Sequence, residues 1–336
     1  MRALTYVGPE KLEWREAPDP RVAGAAQAVV RPIAATPCDL DRAIIMGRTP
    51  AVPPFVLGHE CVAEVVDVGD GVRGVAVGDR VVVPWHLCCG ACDRCLRGLT
   101  AHCAAFPQYA MYGTNFGGDY GGFLADLVHV PFADAMLVPL PAGVPPERAA
   151  PASDNLTDAW LAVAGPLEKY PGGPVLIVGG AGSIGLYAVE LARTAGARSV
   201  DYVDRSPDRL ALAESLGARA IPRDAAVRAT YPVVVDASGN PTELLKAVRA
   251  VAPGGICTST GIFFLDTPLP LFDMYLKDVT FRTGRPNVGP HIGKVLALLA
   301  AGRIHPENLG ETAPWEDAIE VLRTRRLKPV LMRSPS

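Results

Sequence analysis

Through the first 148 residues apolar and polar positions alternate in short runs, at 1–7, 28–32, 61–69, 80–84 and 123–130, each bounded by Gly, Pro or Asp. Period-two runs of this length predict strands joined by tight turns, so this part reads as β-rich. Beyond Pro174 the period changes. Strand-like runs at 175–178, 200–203, 233–235 and 256–261, the first and third wholly apolar, alternate with helical patterns at 184–195, 207–216 and 242–251. Such alternation predicts an α/β fold with a doubly wound parallel sheet covered on both faces. The tail adds helical patterns at 292–301 and 315–323 and a strand-like ending at 329–332. The expected divisions are 1–148, 149–285 and 286–336.

The 336 residues leave room for two domains, and the 34 glycines and 32 prolines supply the turns that short strands need. Lys and Arg number 32 against 35 Asp and Glu, a net charge of −3 with no basic block to track a phosphate backbone. That balance argues against a nucleic-acid partner. No apolar run reaches the roughly 18 residues of a membrane span. The N-terminus lacks the apolar core of a secretion signal, so the expected location is the cytoplasm.

Cysteine placement changes the picture most. Seven of the eight cysteines fall between Cys38 and Cys103, and Cys89, Cys92, Cys95 and Cys103 follow one another at intervals of 3, 3 and 8. One compact loop with that spacing can fold four thiolates around a single tetrahedral ion. Zinc suits the set, and four protein ligands close the site, which makes it structural. An iron–sulfur cluster or four unrelated buried thiols are the competing readings. Cys88 is a spare thiol whose only alternative role is to replace Cys89.

A second pattern, Gly180-Ala181-Gly182-Ser183-Ile184-Gly185, stands between a predicted strand and a predicted helix. There Gly180 allows a tight turn, Gly182 a close approach of backbone N–H groups to a pyrophosphate, and Gly185 close helix packing. The N-terminus at Ser183 and Ile184 faces the anion. Asp204 follows 19 residues after Gly185, at the end of the next strand, where a carboxylate accepts both hydroxyls of an adenosine ribose and repels a 2′-phosphate. NAD is therefore the preferred cofactor. Arg205 and Arg209 can offset the repulsion, which keeps NADP possible.

The cysteine loop, the tripeptide Gly58-His59-Glu60, the isolated Cys38 and the later glycine motif together resemble the zinc-dependent medium-chain alcohol dehydrogenases over nearly the whole chain. The resemblance implies a GroES-like catalytic domain formed by both chain ends, a Rossmann cofactor domain inserted between them, and an active site in the cleft. It also implies that Cys38 and His59 bind a second, catalytic zinc, with Glu60 beside them as a carboxylate that exchanges with water. The third ligand falls at Asp154, with Asp158 as the competing position. Asp41 takes the place of the carboxylate that orients the zinc-bound histidine. Trp85 takes that of a substrate-pocket aromatic. His86, His102, His129 and His291 read as core or surface residues.

The chemistry implied is hydride exchange between NAD(P) and a small, expectedly secondary, alcohol or polyol, yielding a ketone or aldehyde. One departure stands out: the relay positions two and five residues after Cys38 hold Leu40 and Ala43, neither of which carries a proton. The proton is then expected to leave directly to solvent. Relatives lacking the relay include reductases of activated C=C or C=N bonds, which product identity would distinguish. A non-catalytic, cofactor-binding zinc protein is the third reading, distinguished by the absence of hydride transfer. Relatives are dimers or tetramers, so a homo-oligomer is expected.

Overall fold

The computed structural model describes every residue except 226, 228, 229, 325, 335 and 336. Contacts divide the chain into two units, one made of Met1–Thr157 with Pro286–Ser336 and the other of Asp158–Arg285.

The first unit is built on a seven-stranded sheet. Its strands run Thr312–Pro314, Val330–Met332, Ala28–Ala35, Cys61–Val68, Arg80–Val83 and Val138–Pro139 in space, with Val128–Val130 pairing alongside Ala28–Ala35. The long strands present alternate residues to the interior, where Val30, Ala35, Ala63, Val65, Val81 and Val83 pack. Fully burying one such valine contributes roughly 1.5–3 kcal/mol. Both chain ends meet in this sheet, because Leu331 pairs with Ala35 and Met332 with Ala34. A smaller sheet joins Lys11–Glu16, Arg2–Gly8 and Phe55–Val56.

One expected strand is shorter than its pattern. Of residues 123–130 only Val128–Val130 forms a strand. Phe123, Leu124 and Ala125 are buried consecutively and form no continuous ladder: Phe123 N–H donates to Gly58 O and Leu124 N–H to Leu57 O, both in a loop, while Leu124 O accepts from Leu4 N–H in strand Arg2–Gly8, whose Ala3 makes an isolated bridge to Ala125. Consecutive burial cannot come from a half-buried strand, whose side chains alternate. The expected helix over 315–323 likewise opens as a 3₁₀ turn at Trp315–Asp317 and turns α-helical only at Ala318–Arg323.

The second unit holds a six-stranded parallel sheet in the spatial order Arg219–Pro222, Val200–Asp204, Val175–Val178, Tyr231–Asp236, Val251–Ser259, Thr280–Thr283. In chain order that is 3-2-1-4-5-6, the Rossmann arrangement. Val175–Val178 is buried along its whole length, as a central strand covered on both faces must be. Helices Ile184–Thr194 and Pro207–Ser215 pack against it and its neighbour. Strand order reverses between Val175–Val178 and Tyr231–Asp236, and ligands of such sheets bind beyond the strand ends at that reversal. Among the described residues no helix is long and apolar enough to cross a membrane.

Candidate active site

Cys38 is the N-cap of the short helix Asp39–Ile45, with extended backbone that turns its side chain out of the helix. Asp41, in the first turn, accepts the Cys38 N–H through Oδ2 at 2.9 Å and places Oδ1 3.2 Å from His59 Nδ1. A single buried carboxylate thus bonds Cys38 and lies against His59, 21 positions on. His59 follows Gly58, whose φ of +93° a side chain would strain, and a Cβ there would lie 2.9 Å from Leu124 N. The glycine is what lets the chain turn His59 inward.

Asp154 reaches the same place by another route. The neighbouring Ser153 hydroxyl donates to Cys61 O and accepts from Cys61 N–H, both at 2.9 Å, which clamps the segment to the strand following Glu60. Asp154 Oδ2 then lies 3.5 Å from His59 Nε2. Lys328, with only 1% of its side chain exposed, donates from Nζ to Glu60 Oε1 at 2.6 Å and to Pro37 O at 2.9 Å. Asn155 Oδ1 is 3.2 Å from Cys38 Sγ. Ser153, Asn155 and Lys328 were not singled out by sequence. Their only signal there is a lysine inside the apolar run 327–332, which a buried counter-charge would explain.

Cys38, His59, Glu60 and Asp154 each offer one ligand atom, and these four atoms lie within 4.8 Å of one another. Asp158 is not in that group. Two zinc ligands bonded at about 2.1 Å in a tetrahedron stand roughly 3.4 Å apart, close to the 3.5 Å between His59 and Asp154. Glu60 Oε2 is buried with no hydrogen-bond partner. Protein groups alone serve this cluster poorly: burial, with the Asp154 charge, pushes the Cys38 thiol up to about 12, and burial pushes Glu60 up to about 8 against the pull of Lys328. A divalent cation reverses that logic, since it stabilises thiolate and carboxylate together. The donor set fits zinc.

The relay positions behave as their chemistry suggests. Leu40 packs against the apolar core, and neither it nor half-buried Ala43 offers a proton-carrying group. Trp85 is buried, donates its backbone N–H to Ser153 O, and meets His86 edge-on at 5.1 Å. His86 is buried against Thr100 Oγ1 at 3.2 Å, His129 and His291 are half-buried, and His102 is exposed.

The sulfurs of Cys89, Cys92, Cys95 and Cys103 form a second group within 4.8 Å. Cys92 and Cys103 sulfurs are 3.9 Å apart, against roughly 3.8 Å for two thiolates bonded at ~2.3 Å to one tetrahedral zinc. Backbone N–H groups of Cys89, Cys92, Ala104 and Ala105 point at these sulfurs. The Ala104 and Cys95 N–H groups lower Cys92 to about 6. Cys88 Sγ instead faces Ala135 O at 3.6 Å, and Cys88 is not in the group.

In the second unit a cavity of about 140 Å³ opens beyond the strand ends, lined by Gly179–Ala181, Asp204, Arg205, Arg209 and Asn240 among others. Gly182 completes the turn, Ser183 caps the helix beginning at Ile184, and Gly185 is buried in its first turn. Asp204 faces this cavity while holding a two-pronged ion pair with Arg209. Burial works to raise its carboxyl, but the bonds from Arg209, Ser206 and Tyr202 outweigh it and hold the group below the usual range.

Comparison with known proteins agrees with both units. Residues 24–142 match the alcohol dehydrogenase GroES-like domain family, and residues 183–285 the zinc-binding dehydrogenase family. A "Probable zinc-binding alcohol dehydrogenase" of Mycobacterium tuberculosis is 33% identical over 98% of this chain and 86% of its own. An NADP-dependent isopropanol dehydrogenase of Clostridium beijerinckii is 32% identical over 77% of this chain and 75% of its own. Among solved structures, an alcohol dehydrogenase from Thermus sp. ATN1 superposes with a TM-score of 0.89 at 34% identity, covering 99% of this chain and 100% of that one.

Proposed function

The chain belongs to the zinc-dependent medium-chain alcohol dehydrogenases, and from that premise we propose that Cys38, His59 and Asp154 hold its catalytic zinc, with Glu60 as the exchanging carboxylate. It is an oxidoreductase acting on the CH–OH group of an alcohol or polyol with a nicotinamide cofactor. The gathering of four donor atoms within 4.8 Å, from three distant stretches of sequence, carries the assignment. When bound, zinc supplies Lewis acidity that lowers the pKa of an alcohol, and nicotinamide supplies the hydride acceptor.

The protein's own groups prepare the site. Asp41 keeps the His59 ring turned so that Nε2 faces Asp154. Lys328 holds one oxygen of Glu60 and leaves the other available. The loop from Cys89 to Cys103 takes the second, structural zinc. NAD is preferred because Asp204 presents an ionised carboxylate to the adenosine ribose, while Arg205 and Arg209 nearby leave NADP as a weaker cofactor. The substrate is a small secondary alcohol or polyol. Thiols that serve zinc must stay reduced, which supports a cytoplasmic location.

Two copies or more associate through the second unit. Thr280–Thr283 is an edge strand, and Leu271, Phe272, Tyr275 and Leu276 in the adjoining segment are each well over half exposed. An unpaired strand edge beside exposed apolar side chains invites a second copy.

Metal analysis of the purified protein beside Cys38→Ser, with NAD and NADP turnover on alcohols, polyols and aldehydes, tests the assignment. Two zinc ions per chain falling to one, with turnover lost, is the expected result. One zinc in both proteins would overturn it.

A further inference from the structure

Two residues before Asp204, and on the same face of its strand, lies Tyr202. Its side chain is fully buried and its hydroxyl donates to Asp204 Oδ2 at 3.0 Å. Ser206 N–H donates to Oδ1 at 2.9 Å, and Arg209 closes the carboxylate from the other side with Nε to Oδ2 at 2.9 Å and Nη2 to Oδ1 at 3.0 Å. A carboxylate offers about four acceptor positions, so these donors fill it. The adenosine ribose must displace one of them.

The donors differ in their freedom to leave. Tyr202 is locked inside the sheet and Ser206 donates from the backbone, whereas Arg209 is a long side chain with 21% exposure on helix Pro207–Ser215. Space for the phenol comes from Gly179, just before the glycine motif. A Cβ there would lie 2.2 Å from the Tyr202 hydroxyl and 2.7 Å from Asp204 Oδ2.

We infer that Tyr202 is a positioning residue for cofactor discrimination: its buried hydroxyl fixes the Asp204 carboxylate toward the cavity while Arg209 yields to the two ribose hydroxyls. Held in this way, the carboxylate cannot rotate aside, so it accepts a 2′-hydroxyl and meets a 2′-phosphate with undiminished charge. Without the phenol the carboxylate is free to turn with Arg209, the ribose bonds weaken, and the phosphate is tolerated. Tyr202 does this without touching the cofactor. The inference rests on the reading of Asp204 as the ribose acceptor.

The test is the ratio of NADH to NADPH affinity, from fluorescence titration of the zinc-loaded enzyme as wild type, Tyr202→Phe, Gly179→Ala and Asp204→Ala. A structural loss would weaken both cofactors alike and leave the ratio in place. Tyr202→Phe is expected to lower the ratio about fivefold to tenfold, the worth of one ordinary intramolecular hydrogen bond. Gly179→Ala presses on both the phenol and the carboxylate, so it should lower the ratio whichever of the two moves, and Tyr202→Leu is the variant that serves if Tyr202→Phe does not fold. If Asp204→Ala lowers the ratio but Tyr202→Phe, or Tyr202→Leu in its place, keeps it within about twofold, Tyr202 has no such role. If Asp204→Ala itself leaves the ratio unmoved, the ribose assignment fails and takes the inference with it.

Discussion

A lysine as deeply buried as Lys328 persists only because its charge is answered, here by Glu60 Oε1 at 2.6 Å. Replacing it by methionine keeps the length and leaves Glu60 buried and unpaired, a change that costs about 3–5 kcal/mol in buried ion pairs. Lys328→Met should therefore unfold at markedly lower denaturant concentration than wild type, and Lys328→Arg should recover most of the loss. Equal midpoints for all three in urea titrations would show that the pair carries no stability. The pair also marks where sequence reading ends. Cys89, Cys92, Cys95 and Cys103, and the glycines from Gly180 to Gly185, are legible because their partners lie within a few residues. Cys38, His59 and Asp154 come together across more than a hundred positions, so only resemblance to a family pointed to them. Lys328 and Ser153 act through long-range bonds whose partners no local pattern records.

The segment from Cys89 to Cys103 shows why an element needs more than its backbone. Its regular structure is one turn of α-helix at Asp93–Leu96 and a 3₁₀ turn at Thr100–His102. So few backbone bonds cannot hold a loop whose arginines, Arg94 and Arg97, are exposed. Cys95→Ser should lower zinc content by one ion per chain, and brief trypsin treatment should then cut first after Arg94 or Arg97, as mass spectrometry of the fragments would show. A loop that resists trypsin to the same degree in both proteins would mean that the surrounding packing holds it. Other elements were legible or hidden for comparable reasons. Val175–Val178 stands out as an apolar run because a central parallel strand is covered on both faces. Helix Asn155–Lys169 is masked by Gly165 and Pro166, which punctuate its last turns. Residues 123–127 read as strand because Phe123, Leu124 and Ala125 are apolar and buried, although their bonds are split between the loop at Leu57 and Gly58 and the strand Arg2–Gly8 and build no ladder.

At the scale of the molecule, the proposed contact between copies is open to measurement. Leu276→Glu puts a charge on the exposed apolar patch beside the edge strand and is expected to shift the mass seen by light scattering toward the monomer, with the protein still folded. A monomeric wild type, or an oligomer indifferent to the substitution, would direct attention to another surface. The unit that holds the proposed zinc ligands is discontinuous, and its strand Val330–Met332 pairs with one far earlier in the chain, Ala28–Ala35. Glu60 and Lys328 are 268 residues apart, which at about 5–20 residues per second is roughly 13 to 54 seconds of translation. The continuous unit, 158–285, can close its cavity while the ribosome is still working. Glu60 has to wait until residue 328 has been made before its lysine arrives.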